Sequence, residues 1–376
     1  MDVTFDLIIR GGTLIDGRGE RPSDVGIVAG RIAAIDNLTA ATAGEVLAAD
    51  GACVSAGWID IHAHVWVGEP GIGVDPDAKA GVRTGVTTVV DAGSFGAAHC
   101  EDFLASSAAP ASTRVLAYLN ISVDRTRKPT HGHFDNFSTR KTLAALERDG
   151  GKHLVGVKVL ASQSHCGVMG AEPVKLAVQA GRLAGVPVMC HIGNAPPVID
   201  EVLSLLRTGD VVTHCWHGKP GGLLGRGGQP IPATLAAVER GLIFDIGHGS
   251  ESFAFATARA ARAAGLPLHS ISTDLHRGNV EGPVHDQATT MSKFLHLGFS
   301  LAEVVGLSTE GPAAALHRSR DLGTLAVGRE ADVTVFRVER GPVTFRDSEG
   351  ATMQGDQRVV PVATVRAGRV FRPQAS

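Results

Sequence analysis

Apolar residues Ile59, Ile61, Ala63 and Val65 alternate with Trp58, Asp60, His62 and His64. A period of two marks a strand, and it puts both histidines on one face. The same patterning predicts eight strands, at 58–65, 86–91, 114–121, 154–160, 186–191, 211–215, 242–247 and 268–273. Between them, Thr142 to Glu147, Glu172 to Ala184, Ile199 to Leu206, Thr234 to Arg240 and Ser252 to Ala264 carry apolar residues three and four apart, as helices do. Strands alternating with helices build parallel βα units, and eight such units over roughly 250 residues suit a (β/α)8 TIM barrel. A doubly wound open sheet fits less well, because no G-x-G-x-x-G follows the first strand.

The two ends read differently. Asp6-Leu7-Ile8-Ile9-Arg10, Asp24-Val25-Gly26-Ile27-Val28 and Ile32-Ala33-Ala34-Ile35 are short strands broken by glycine turns. Residues 331–336 and 362–370 repeat the pattern at the far end. Neither end carries enough apolar surface to fold alone. The expectation is therefore an α/β protein in which 1–55 and 320–376 pair into a small β-sandwich and 56–319 form the barrel.

Composition narrows the partners. The 376 residues are 44% hydrophobic and 19% charged with a net charge of −3, and no basic cluster interrupts them. That argues against nucleic acid and against a polybasic membrane anchor. No apolar run approaches the ~20 residues of a membrane helix, and the acidic start Met1 to Asp6 does not resemble a signal peptide. The five cysteines are scattered without C-x-x-C spacing, as free thiols in a cytoplasmic protein would be. The sequence leaves open whether the chain forms a homo-oligomer.

In a parallel barrel, chemistry collects at the carboxyl ends of the strands. Those ends carry His62 and His64, then Lys158 within the apolar run Val155 to Leu160, then His191, His214 and Asp274. A lone interior histidine is usually hydrogen-bonded, and Asp274 could simply cap the next segment. Lys158 is harder to dismiss, since an unpaired ammonium among apolar side chains is costly to bury. As a neutral amine it would be a nucleophile toward carbon dioxide, giving a carbamate with two anionic oxygens suited to bridging cations. Four imidazoles, a carbamate and a carboxylate make a two-metal site.

These residues carry a resemblance. The Ile59 to His64 strand, the strand-four lysine, the two later histidines, Ser272-Thr273-Asp274 and the tail Gly323 to Asp332 resemble the amidohydrolase superfamily of metal-dependent hydrolases. Tyr118 to Ser122 and Met291 to Leu295 are similar to its deacetylase branch, whose members are often mislabelled dihydroorotase. The resemblance implies that His62, His64, N-carboxylated Lys158 and Asp274 hold one divalent ion, and Lys158, His191 and His214 a second. Zinc is the expected metal, with manganese and iron open. Two such ions could share a hydroxide, expected to be the nucleophile, with Asp274 as proton shuttle.

The substrate is less sharply specified. Dihydroorotate-opening relatives carry an arginine where this chain has Trp66, and hydantoin-opening ones use a loop tyrosine, whereas the single tyrosine here, Tyr118, lies inside a strand. The remaining reading is hydrolysis of an amide or ester in a small N- or O-acetyl amino or hydroxy acid. A cyclic amidase or lactonase, and a non-catalytic scaffold, are the alternatives. Asn120, His217, His276 and Arg277 are the candidate substrate contacts, Arg277 as a bidentate partner for a carboxylate. His131 and His133 are expected to hydrogen-bond within their loop, Gly221 to Gly228 to form a lid, and Cys190 and Cys215 to pack away from the metals.

Overall fold

The computed structural model describes residues 4–68 and 72–373. Seven short strands open it: β1 Phe5–Arg10, β2 Thr13–Asp16, β3 Gly19–Pro22, β4 Asp24–Val28, β5 Arg31–Asp36, β6 Ala43–Ala48 and β7 Cys53–Ala56. Then come β8 Trp58–Ala63, β9 Val86–Gly96, β10 Arg114–Asn120, β11 Leu154–Ala161, β12 Val188–Ile192, β13 Val211–Thr213 and β14 Ile243–Asp245. These seven lie side by side in chain order, every pair parallel. Every residue of β8, β9 and β11 is buried, as parallel strands covered on both faces must be.

The expected eighth strand is not a continuous one. Segment 268–275 makes one parallel bridge to β14, Asp245 with Ser270, and one to β8, Ala63 with Leu275. Backbone bonds run from His269 N–H to Phe244, and from His64 N–H to Leu275, so the segment joins the two outer strands of the sheet. Its regularity fails because Ser270, Ser272 and Thr273 turn their hydroxyls onto buried Asp245 and Asp60. Asp274 then leaves extended geometry altogether, at φ 49°.

Alternation through 58–65 holds at its start and is disturbed further on. Trp58 packs on Phe336, with ring centroids 5.3 Å apart, while Ile59 and Ile61 join an interior cluster with Leu116, Tyr118 and Met189. The β8–β9 register shifts between Asp60 and Ala63, and His62 and His64 sit at and beyond that irregularity. The five expected helices are present as Thr139–Asp149, Glu172–Ala184, Ile199–Leu205, Pro232–Glu239 and Phe255–Ala263. Gln287–His296, Leu301–Gly306 and Glu310–Ala315 are helices that the patterning did not pick out.

Both chain ends meet in two sheets, β5-β4-β1-β6 and β17-β16-β15-β7-β2-β3, where β15 is Val333–Arg346, β16 Thr352–Arg366 and β17 Arg369–Phe371. Leu7, Ile9, Val25 and Ile27 share an apolar cluster with Val333, Val335, Ala363 and Val365. The β15–β16 hairpin is longer than its sequence suggests, because exposed Arg337, Glu339 and Arg340 interrupt the apolar pattern. Its outer half returns to the central sheet's core through Phe345, Met353 and Val359. At its tip Asp347 accepts from Phe255 N–H at 2.9 Å, and the Ser348 hydroxyl donates to Gly249 O at 2.8 Å.

A four-charge knot ties the C-terminal strands to β10. Arg114 bonds Asp332 at 2.5 Å and Glu330 at 3.2 Å, and Arg366 pairs with both acids. Burial pushes the Glu330 carboxyl up, but the Arg114 and Arg366 charges outweigh it and hold the group below its ordinary 4.5. Arg114→Met is expected to cost roughly 1–3 kcal/mol at neutral pH in urea unfolding. A depressed carboxyl stabilises above its unfolded value and loses that contribution as pH falls through the folded value. The gap between wild type and variant should therefore narrow in acid below pH 4.5; a gap unchanged across that range would contradict the assignment.

Candidate metal centre

Six side chains from five separate stretches meet at the carboxyl end of the parallel sheet. His62 and His64 present their Nε2 atoms to one oxygen of Asp274, at 3.3 and 3.1 Å. Lys158, fully enclosed in β11, places Nζ 3.3 Å from His62 Nε2. The His214 ring lies 4.9 Å from that of His62, and His191 stands edge-on to His214 with centroids 4.4 Å apart. The ligand atoms of His62, His64 and Asp274 all lie within 4.8 Å of one another.

Hydrogen bonds fix which ring nitrogen carries the proton. Thr213 Oγ1 gives its own proton to Asp245 at 2.7 Å, so it must accept from His62 Nδ1 at 2.7 Å. Ser94 Oγ donates to Asp91 at 2.8 Å and therefore accepts from His64 Nδ1 at 2.7 Å. His214 Nδ1 donates to the Gly247 carbonyl at 2.6 Å. In all three rings Nε2 is left as a lone pair. For His62 and His64 that lone pair faces a carboxylate oxygen, acceptor against acceptor, which only an intervening cation makes favourable. Burial drives His64 down to about 4 and His191 and His214 well below the ordinary imidazole value; at His62 burial and the Lys158 charge also lower the value, but Asp274 and Asp245 outweigh them and leave it raised. Burial raises Asp274, but the His62 charge and the contacts with His62 and His64 prevail and hold it anionic. Burial also lowers Lys158 to about 8, against the pull of nearby Asp274 and Asp245. Imidazoles whose Nε2 atoms converge, a carboxylate and a weakly basic amine form a donor set that fits divalent metal.

The backbone is bent to serve this cluster. His214 and Asp274 are non-glycine residues in the left-handed region, at φ 65° and 49°. Two glycines make room beside them. A Cβ on Gly247 would lie 2.4 Å from Thr213 Oγ1 and 2.8 Å from His214 Nδ1, and one on Gly249 would lie 2.4 Å from Asp274 Oδ2.

The expected substrate contacts fare unevenly. Asn120 is buried, its amide donating to Gly93 O and accepting from Ser122 N–H. Arg277 extends to the Gly73 carbonyl at 3.5 Å. His276 stands 6.3 Å from the His64 ring, near enough to line the site, with Ser250 3.2 Å from its Nε2. His217 accepts from Lys219 N–H at Nδ1, leaving a buried Nε2–H without a partner among the described residues. His131 ties its loop to the sheet, with Ser122 on one nitrogen and Leu160 N–H of β11 on the other. Cys190 and Cys215 lie in the apolar core. Gly221 to Gly228 is a small self-bonded loop, with Gly225 N–H on Gln229 O and Leu223 buried beneath it.

Sequence patterning missed Asp91, Ser94, Thr213, Asp245 and the two glycines. Asp91 and Asp245 follow apolar runs at the ends of the second and seventh strands, the same signal that singled out Lys158. His165, half-buried after β11, was also missed; it stands edge-on to His191 with centroids 5.4 Å apart.

Comparison with known proteins agrees with this geometry. A model of the amidohydrolase family matches residues 119–370. A deacetylase from Enterococcus faecalis is 35% identical over 375 residues, covering 98% of this chain and 99% of the relative. A deacetylase from Agrobacterium fabrum is 37% identical over 342 residues, covering 89% and 83%. Two solved structures, one described as an adenine deaminase and one as a dihydroorotase, superpose with TM-scores of 0.92 and 0.90. Each is 34% identical and covers 98% of this chain, with 99% and 98% of their own chains matched. The chain belongs to the amidohydrolase family.

Proposed function

We propose that this amidohydrolase removes an acyl group, most simply acetyl, from a small N-acyl amino acid or O-acyl hydroxy acid. The carrying observation is the pair of imidazole lone pairs aimed at the Asp274 carboxylate, with Lys158, His191 and His214 beside them. His62, His64, Lys158 and Asp274 would hold one divalent cation and Lys158, His191 and His214 a second, with zinc the best match to the donors. Such ions lower the pKa of water and draw electron density from a substrate carbonyl. In this reading segment 268–275 is the eighth stave of a closed (β/α)8 barrel, with the terminal sheets, 1–55 and 320–376, as a small sandwich beside it.

The chain's own groups divide the work. The Lys158 amine, kept basic only weakly by burial, adds to carbon dioxide; its N–C bond forms, a proton leaves, and the carbamate anion replaces a buried ammonium. Asp274 takes a proton from water as the carbonyl is attacked and gives it to the departing amine or alkoxide. Gly249 and the left-handed turn keep that carboxylate in place. His62 and His64 stay in one tautomer and one orientation through Thr213 and Ser94.

An acyclic substrate is favoured because neither ring-opening device is present. Trp66 is buried, with its indole N–H on Asp102 at 2.6 Å. Tyr118 is buried among the apolar residues of the interior cluster, with its hydroxyl unpaired among the described residues. The deacetylase relatives agree with this choice, while the structure described as a dihydroorotase keeps cyclic amides as the alternative. We place the enzyme in the cytoplasm, in keeping with five free cysteines; among the described residues no helix is long and apolar enough to cross a membrane.

The deciding assay is a panel of N-acetyl D- and L-amino acids, O-acetyl hydroxy acids, dihydroorotate, hydantoins and adenine on zinc-loaded enzyme. Acetate release from the acyclic members is expected; turnover confined to the ring compounds or to adenine would contradict the proposal. Asp274→Asn is expected to keep most of its metal and lose about 10²–10⁴-fold in kcat, since it removes general acid–base transfer. A near wild-type kcat would end the proton-transfer role. Gly249→Ala should displace Asp274 on the scale of an ångström and lower turnover by about 10²-fold; unchanged kinetics would show that the carboxylate has more room than its contacts indicate.

A further inference from the structure

The imidazoles of the centre are backed in two different ways. Asp245, buried at the end of β14, accepts the hydroxyls of Thr213, Ser270 and Ser272 at 2.7, 2.5 and 2.8 Å. Thr213 passes that negative charge to His62 through the Nδ1–H bond at 2.7 Å. Asp91 repeats the arrangement for His64. It accepts Val65 N–H at 2.9 Å, Ser94 N–H at 2.7 Å and the Ser94 hydroxyl at 2.8 Å, and Ser94 takes His64 Nδ1–H at 2.7 Å. Among the described residues, no lysine or arginine forms an ion pair with either carboxylate, so both negative charges are directed toward the centre. On the other side, His214 leans on the neutral Gly247 carbonyl. His191 has no side-chain hydrogen bond among the described residues and is half-buried.

A carboxylate behind an imidazole fixes its tautomer and raises its basicity as a ligand, and in a buried setting the carboxylate also attracts the ion directly with little screening. A carbonyl supplies orientation without charge. We propose that the two metal positions differ in affinity: the one formed by His62, His64 and Asp274 is retained, and the one formed by His191 and His214 exchanges. The Asp245–Thr213 and Asp91–Ser94 pairs are the positioning residues that create the difference. Lys158, shared by both positions, does not discriminate between them. This rests on the two-cation reading above.

The test is a zinc-retention titration. Enzyme saturated with zinc is dialysed against buffers of graded chelator strength, and metal per chain is read by mass spectrometry. Wild type is expected to start at two ions per chain and to hold one over a broad interval of free zinc. Thr213→Val and Ser94→Ala should each weaken the retained ion by about 10–100-fold and shorten that plateau, whereas Thr213→Ser should keep it. Thermal melts of the metal-free proteins serve as the folding control, and Ser94→Ala gives a second, independent route should the valine variant fold poorly. Simultaneous loss of both ions from wild type, or a Thr213→Val curve that overlays wild type, would overturn the inference. Saturation below two ions per chain would instead overturn the two-cation reading, and the inference with it.

Discussion

Two imidazole lone pairs and a carboxylate oxygen, crowded together out of reach of water, repel one another. Apart from the Lys158 amine, 3.3 Å from His62 Nε2, no side-chain donor among the described residues is bonded to these lone pairs. His62 and His64 are locked as Nδ1–H tautomers by hydroxyls that are themselves held by buried carboxylates. Asp274 is pinned by an unusual backbone angle and by the glycine beside it. Groups kept from solvent and fixed in this orientation suit a cation held between them.

The surrounding architecture follows from that requirement. In the proposed centre six donors arrive from different directions, and parallel strands that end together deliver them with backbone precision. The local irregularities fall where donors need to be re-aimed. The β8 register shift precedes His64, and segment 268–275 gives up strand regularity to bring Asp274 against His62 and His64. The long β15–β16 hairpin adds a more distant support. Its tip closes on Gly249, so the terminal sheets touch the loop that shapes the centre as well as each other.

Much of this was legible in the residues alone, for a physical reason. A strand that ends in a histidine, or carries a lysine among valines, violates the pattern of a buried strand, and such violations are costly enough to need a purpose. His62, His64, Lys158, His191, His214 and Asp274 all announced themselves that way. Asp91 and Asp245 sent the same signal but were lost among ordinary turn residues, since an aspartate at a strand end reads equally well as a cap. Thr213 and Ser94 carry no one-dimensional signature, because their role depends on what two other chain segments place beside them. Asn120 is ambiguous for a related reason: at a strand end, a polar residue that satisfies its neighbours' backbone looks the same in one dimension as one that meets a ligand. The outer half of the β15–β16 hairpin was hidden by its exposed charges, and its apolar contacts appear only once it folds back.

Diffraction from crystals of the native protein at the zinc absorption edge tests the central claim most directly. The account predicts two anomalous peaks, one among His62, His64 and Asp274 and one beside His191 and His214, with density for a carboxylated Lys158 reaching both. An unmodified Lys158 and no anomalous signal in crystals grown with zinc present would contradict it.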